Sequence, residues 1–391
     1  MSRRAFWSTG LAVGLVALAA AGWGVWRAQT SGFPGRHWAR TTPEAAGFSA
    51  EKLAEFSRKA GGYGCIIQAG KMIHSWGNVS NRHDVASSSK PVYAFLTFKA
   101  IEEGRLASLD EPVAKFMPGL AELNPELGYK DRAITFRHLL SQTSGYGLEE
   151  RPGEAFAYND YGTGLLIWTV LHEVFKTPWK LFDEVLDGPR LGQAVGFEDQ
   201  PDMNGSHAHL GRLRMSARDQ ARFALLYLRG RRVLRADLFA EAMNGLLPPD
   251  FPRTSGAESR TLKKPGSIGG GKNLKNHLGC LGYFWWHNET TPDGTRLLPD
   301  APADLFMGSG YGGRFAMVVV PELDLVAVWQ NVHEDEDWSP LSEVGRFKVN
   351  EMLRELLAAR TAEFSAAPVP LRQIEMTPKH GRAFEGVASK S

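Results

Sequence analysis

Ser87 and Lys90 stand three residues apart in Ala86-Ser87-Ser88-Ser89-Lys90-Pro91, just ahead of the apolar run 92–106. On a helix that spacing puts both side chains on one face, within mutual reach. A lysine shielded from water has a depressed pKa and can accept a serine proton, which turns Ser87 into a nucleophile. The unpaired N–H groups of a helix's first turn can then hold the oxyanion that forms after attack. The polar cluster reads as a helix start with Ser87 near the N-cap, and Pro91 suits the first turn. Val92, Phe95, Leu96, Ala100 and Ile101 recur at helical spacing and mark the buried face. Spacing alone does not single out this pair. Ser49 and Lys52 repeat it, and there Ser49 reads as the plain N-cap of a helix over 50–60.

The elements that must position such a pair are legible in outline. Helix 50–60 stops at Gly61-Gly62, and two strand-like runs flank Ala69-Gly70-Lys71 as a hairpin. Helical period marks 134–145, 161–176, 178–187 and 216–229. The later chain changes character: 282–287, 305–308, 315–320 and 323–330 read as strands, and 344–359 as a closing helix. An early hairpin and late strands imply one antiparallel sheet flanked by helices, with a mostly helical second lobe at about 90–270. This is an α+β chain whose site is expected in the cleft between the lobes.

Composition narrows the function. The 391 residues carry a formal net charge of +2 without a long run of one sign, which gives no reason to expect a nucleic-acid partner. The two cysteines, Cys65 and Cys280, cannot build a disulfide framework and read as buried thiols or one bridge. The histidines are scattered, and no metal-ligand spacing occurs. Residues 1–29 carry Arg3 and Arg4 before an uncharged stretch at 5–26, the outline of an export signal of twin-arginine type. The same stretch is long enough for an uncleaved membrane anchor. Either reading places the main domain outside the cytoplasm, in the periplasm or beyond. Residues 30–43 read as a linker and 362–391 as a loose Ala/Pro-rich tail.

Three linked motifs carry a resemblance. Val85-Ala86-Ser87-Ser88-Ser89-Lys90, then Glu102-Glu103-Gly104-Arg105-Leu106 with Leu109-Asp110-Glu111-Pro112-Val113, then Ile134-Thr135-Phe136-Arg137-His138-Leu139-Leu140 through Gly145 follow in order. Together they resemble the serine β-lactamase-related hydrolases: class C β-lactamases, D,D-peptidases, related esterases and 6-aminohexanoate-dimer hydrolases. The resemblance implies a β-lactamase/transpeptidase-like hydrolase domain over 44–361, with no metal or organic cofactor. The family's Tyr-x-Asn falls at Tyr158-Asn159-Asp160. By that resemblance Tyr158 moves the nucleophile's proton together with Lys90, while Asp160 replaces the usual Asn. A carboxylate there favours a charged Lys90 and cannot donate to a substrate carbonyl, a gap that Asn159 is placed to fill.

The third family motif, Lys-Thr-Gly or His-x-Gly, best matches Gly308-Ser309-Gly310, with the Tyr311 N–H implied as second oxyanion donor beside that of Ser87. Neither Lys nor His stands at Gly308, which favours an esterase or amidase over a β-lactamase; Arg314 offers a charge from another direction. The segment 266–273 spells G-x-x-x-x-G-K-N but lacks the Ser/Thr, strand and helix of a phosphate loop, and reads as a loop near the cleft. His83, His138, His277 and His287 read as structural, with His333 kept at the site's edge. The expectation is an exported serine hydrolase that cleaves a small or peptide-like ester or amide through an acyl-enzyme on Ser87. Its rivals are a β-lactamase or D,D-peptidase, and a catalytically idle binding domain of the same fold.

Overall fold

A computed structural model describes residues 34–204, 212–229, 233–255, 267–268, 278–333 and 343–361. The export or anchor segment, the tail from 362 and His277 lie outside the described residues. Helix α1 (Ala50–Ala60) starts where the Ser49 hydroxyl accepts from the Lys52 N–H and ends at Gly61, whose φ is 66°. Strands β1 (Tyr63–Gln68) and β2 (Lys71–Trp76) form the hairpin, turning through Ala69 and Gly70 at φ 49° and 76°. Both φ values are positive, as a two-residue hairpin turn of primed type requires.

Strand β3 (His83–Asp84) leads to the Ser87 turn, and helix α2 (Lys90–Glu102) follows. The helical lobe continues with α3 (Phe136–Leu140), β4 (Tyr158–Asn159), α4 (Asp160–Trp168) and α5 (Phe182–Asp187). Next come α6 (Gly192–Val195), β5 (Asp202–Asn204), β6 (Arg212–Met215), α7 (Ala217–Arg229) and α8 (Ala236–Ala242). The chain then returns through β7 (Ser267–Ile268), β8 (Leu281–Gly282), β9 (Trp285–His287), β10 (Phe306–Gly310), β11 (Phe315–Val320), β12 (Leu325–Gln330) and the closing helix α9 (Glu343–Ala358).

Seven strands form one antiparallel sheet in the order β2-β1-β12-β11-β10-β9-β8, so the early hairpin joins the late strands as expected. Strand alternation divides its residues between two cores. Cys65, Ile67, Met317, Val319, Val326 and Val328 face α2, α7 and the helical lobe. Ile66, Ala316, Val318, Ala327 and Trp329 face α1 and α9. Helix α2 is apolar nearly all round because it runs through the lobe's centre, and Val92, Phe95, Leu96 and Phe98 are each at most 1% exposed.

Two readings need amendment. The stretch 282–287 is a tight hairpin rather than one strand, turning at Tyr283 and Phe284, both at positive φ. The second half of the supposed linker packs on the domain. Trp38 is buried, and the backbone around Arg40 pairs with Met72 along the edge of β2. That covers an otherwise open sheet edge. Cys65 and Cys280 are both free, because they lie in the two different cores on opposite faces of the sheet. Burial pushes both thiols up to about 12.

Candidate active site

Ser87 sits in a 3-10 turn (Ala86–Ser89), and the α-helix proper begins three residues later at Lys90. Local hydrogen bonds explain the offset. The Ser88 hydroxyl donates to the Val85 carbonyl at 2.7 Å, and the Ser89 hydroxyl donates to Ala86 at 2.7 Å, tightening the turn to three-residue spacing. Ala86 holds φ 49°, a strained left-handed position for a residue with a Cβ, and its N–H is tied to the Asp84 carboxylate at 2.9 Å. The turn throws Ser87 forward, half-buried, while Ser88 to Lys90 are buried.

Lys90 is the centre of the site. Its Nζ lies 3.3 Å from Ser87 Oγ and 2.9 Å from Asp160 Oδ1, and it sits over the Tyr158 ring at 3.7 Å from the centroid. The chain thus brings Ser87, Lys90, Tyr158 and Asp160 together around one buried ammonium. The depressed lysine expected from the sequence is not found. Burial pulls Lys90 downward, but the Tyr158 phenol and the Asp160 carboxylate outweigh it, so the ammonium titrates above the ordinary lysine value. The Asp160 side chain is 62% exposed against 6% for Lys90, so the pair is open to solvent from the carboxylate side.

Asn159 does not face Lys90. Its Oδ1 accepts from the Gly162 N–H at 2.9 Å as the N-cap of α4, and its Nδ2 donates to the Tyr146 carbonyl at 2.6 Å. Its own N–H donates to Gln142 Oε1 at 2.7 Å. These bonds make Asn159 the buried anchor that orients its neighbours Tyr158 and Asp160; its amide is not placed to substitute for the missing one. The second strand edge of this region is β7, which pairs with Tyr158 and Asn159. Residues 267–268 of the G-x-x-x-x-G-K-N segment therefore lie beside the site; its other residues lie outside those described.

The end of β10 closes the site from the sheet side. A Cβ on Gly310 would stand 2.8 Å from the Ser88 nitrogen, 2.8 Å from the Val85 oxygen and 3.0 Å from the Ser87 nitrogen. Only glycine lets the strand approach the Ser87 turn this closely, and Tyr311 follows directly at the strand's end. Tyr311 itself turns at φ 49° and is 46% exposed. Strand β9 pairs only with Phe306 and Met307. Gly308 to Gly310 keep β11 on one side and, among the described residues, no strand on the other.

The position that carries the cation in the family motif is closely packed here. A Cβ on Gly308 would meet Met317 at 2.6 Å and Pro91 at 3.2 Å, so the side-chain position is filled by a thioether and a proline ring. Ser309 lies opposite Ala316, on the other face of the sheet from Gly308 and Gly310. Arg314 turns away to the Val332 carbonyl at 3.3 Å. His333 is held by its backbone N–H on Ala60, and His138 serves the capping box of α3. Burial pushes both His138 and His287 down to about 4. Among the described residues no group of acidic, His and Cys side chains is arranged to hold a metal.

The serine turn, with a lysine three residues on, a tyrosine against it and a glycine strand beneath, lies within a chain that matches a known family. The Beta-lactamase family model aligns with residues 50–331, well over half of the chain. The chain belongs to the beta-lactamase family. That family consists of serine hydrolases, which include beta-lactamases, esterases and peptidases. No curated protein matches the chain in sequence. Among solved structures, a candidate 6-aminohexanoate-dimer hydrolase from Bacillus anthracis is similar at 14% identity, covering 82% of this chain and 87% of that one with a TM-score of 0.55. A penicillin-binding protein homolog from Caulobacter crescentus is similar at 15% identity, with coverages of 83% and 99% and a TM-score of 0.54. A beta-lactamase from Mycobacterium bovis shares 20% identity, with coverages of 77% and 99% and a TM-score of 0.51. These likenesses establish the β-lactamase/transpeptidase-like α+β fold.

Proposed function

We propose that this beta-lactamase-family protein hydrolyses an ester or amide through an acyl-enzyme on Ser87. The observation that carries the reading is the Lys90 ammonium, 3.3 Å from Ser87 Oγ and stacked on Tyr158. Ser87 Oγ attacks the substrate carbonyl carbon, and its proton passes to Lys90 in its neutral form or to Tyr158 as its phenolate. The Ser87 and Tyr311 N–H groups hold the oxyanion. Collapse breaks the scissile bond, the stored proton leaves with the alcohol or amine, and Ser87 carries the acyl group. Water then repeats the sequence, releasing a carboxylic acid and restoring the Ser87 proton.

The packing at Gly308 supports an ester or uncharged amide over a β-lactam. Met317 and Pro91 occupy the space where a cation would meet a substrate carboxylate. The open edge at Gly308 to Gly310 suits an extended acyl or peptide-like chain lying beside the strand. We read the enzyme as exported, carried or tethered by residues 5–26; the Arg3-Arg4 pair and the apolar stretch behind it support this. The test is turnover of a p-nitrophenyl ester series, an anilide series and nitrocefin by the wild type and by Ser87→Ala. Ester turnover lost in the variant, with little nitrocefin cleavage, is expected. Nitrocefin turnover without ester turnover would favour the β-lactamase reading instead.

A further inference from the structure

Behind the Ser87 turn, on the side away from the cleft, a buried polar chain crosses from the sheet to the turn. Gln330, the last residue of β12, donates through Nε2 to Gln220 Oε1 at 2.8 Å and to the Met215 carbonyl at 3.3 Å. Gln220, on α7, donates through its own Nε2 to Ser88 Oγ at 2.8 Å. Ser88 Oγ in turn donates to the Val85 carbonyl at 2.7 Å. All three side chains are at most 1% exposed.

The direction of every link is fixed by the one before it. Gln330 presents an amide hydrogen, so Gln220 must present its oxygen there and its amide hydrogens to Ser88. Ser88 accepts from Gln220, which leaves its own hydrogen for Val85. Gln330 commits its amide group to these bonds while its own Oε1 is left without a partner among the described residues. Buried polar chains of this kind hold one conformation when complete and are costly when broken. What this one holds is the strained turn in which Ala86 stands at positive φ, between Val85 and Ser88. Such strain persists only where the surroundings over-determine it. The Ser87 N–H lies inside that clamped segment, its nitrogen 3.0 Å from where a Cβ on Gly310 would stand.

We infer that Gln220, oriented by Gln330, is a positioning residue that fixes the Ser87 backbone N–H as an oxyanion donor by clamping Ser88 from behind. The inference rests on Ser87 being the nucleophile. Gln220 touches neither substrate nor the proton-transfer groups, so its loss should lower the rate of the chemical step and leave ground-state binding and the proton-transfer titration in place.

The experiment follows phosphonylation by a fluorophosphonate probe in wild type, Gln220→Met, Ser88→Ala and the double variant, resolving the maximal labelling rate from the half-saturating probe concentration across pH. Gln220→Met keeps the side chain's length and removes both polar ends. A fall of about tenfold to a hundredfold in maximal rate is expected, in the range of losing one oxyanion donor or somewhat below it. The half-saturating concentration should change by less than about twofold, and the pH midpoint should not move. The double variant should lose no more than the worse single, since both break one chain. Folding is monitored by thermal melting, and Gln220→Glu, which keeps the acceptor but brings a charge, serves as a second variant if Gln220→Met melts early. Wild-type labelling at Ser87 with an unchanged maximal rate in folded Gln220→Met would overturn the inference alone. A shifted pH midpoint would overturn it too, because it would place Gln220 in proton transfer. Absence of wild-type labelling would overturn the nucleophile assignment on which it stands.

Discussion

Replacing Asp160 by Asn tests the electrostatics of the site most sharply, because Asp160 acts on Lys90 through one direct contact. The carboxylate oxygen lies 2.9 Å from the Lys90 Nζ, but its side chain is 62% exposed. At the dielectric of water, two unit charges at that distance attract by about 1.4 kcal/mol, or about one pKa unit. The exposed carboxylate makes this high-dielectric figure the appropriate floor. The sign follows from the direction of the shift. Lys90 titrates above its ordinary value, so at neutral pH it is charged and only its neutral minority can accept the Ser87 proton. The labelling rate of Ser87 should therefore climb with pH. Asp160→Asn removes the anion, lowers the Lys90 pKa, and moves that rising limb down by about one pH unit. At a fixed pH on the limb the neutral fraction rises about tenfold; the weaker basicity of the amine offsets part of this, leaving a gain of roughly threefold to tenfold. The assay is fluorophosphonate labelling between about pH 6 and 10 for wild type, Asp160→Asn and Asp160→Glu. A limb that stays in place, or moves up, in Asp160→Asn would refute the reasoning and remove Lys90 as the titrating group.

Other consequences follow from packing and burial. Gly310→Ala places a methyl within 3.0 Å of the Ser87 and Ser88 nitrogens, all of them backbone atoms, so β10 must withdraw from the turn. Labelling should fall about a hundredfold or more, the scale of losing an oxyanion donor, while circular dichroism shows the fold retained. Asn159→Ala removes the N-cap of α4 and leaves the buried Gly162 N–H and Tyr146 carbonyl unpaired, which should cost about 2–4 kcal/mol in denaturant unfolding. The two thiols, both buried and both pushed up to about 12, should react with a disulfide reagent only as fast as the protein unfolds. Fast reaction in the native state would contradict their placement.

The stability side of the Lys90 shift carries its own sign. A lysine raised in the folded state contributes stability that is complete below its unfolded pKa, near 10.4. That contribution is lost as pH rises through the higher folded value. Asp160→Asn should therefore narrow the gap between neutral and strongly alkaline melting temperatures.

Much of the architecture was legible because it rests on local pattern. The Ser49 cap, the turn at Ala69-Gly70 and the short apolar runs within 315–330 are short-range signals, and each stands where the sequence places it. The Ser87–Lys90 pairing survives for the same reason, although the turn is 3-10 rather than an α-helix start; side-chain bonds back to Val85 and Ala86 decide that, and propensity does not see them. The charge state of Lys90 was less accessible. Burial alone argues for a depressed value, and it takes the approach of both Tyr158 and Asp160, about seventy residues away along the chain, to reverse it. The Gly308 gap is visible as a missing cation, but what packs into the position, Met317 on the neighbouring strand and Pro91, is not. Gln220 and Gln330 carry no motif at all. Their role depends on three elements converging behind Ser88, a long-range geometry that spacing along the chain does not encode.

The most direct test of the account is to map the site of fluorophosphonate attachment by mass spectrometry of proteolysed wild type, Ser87→Ala and Lys90→Met. One adduct is expected in the wild type, on the peptide containing Ser87, none in Ser87→Ala, and labelling slowed by about a hundredfold or more in Lys90→Met. An adduct on another serine, or labelling of Ser87 that is indifferent to Lys90, would contradict it.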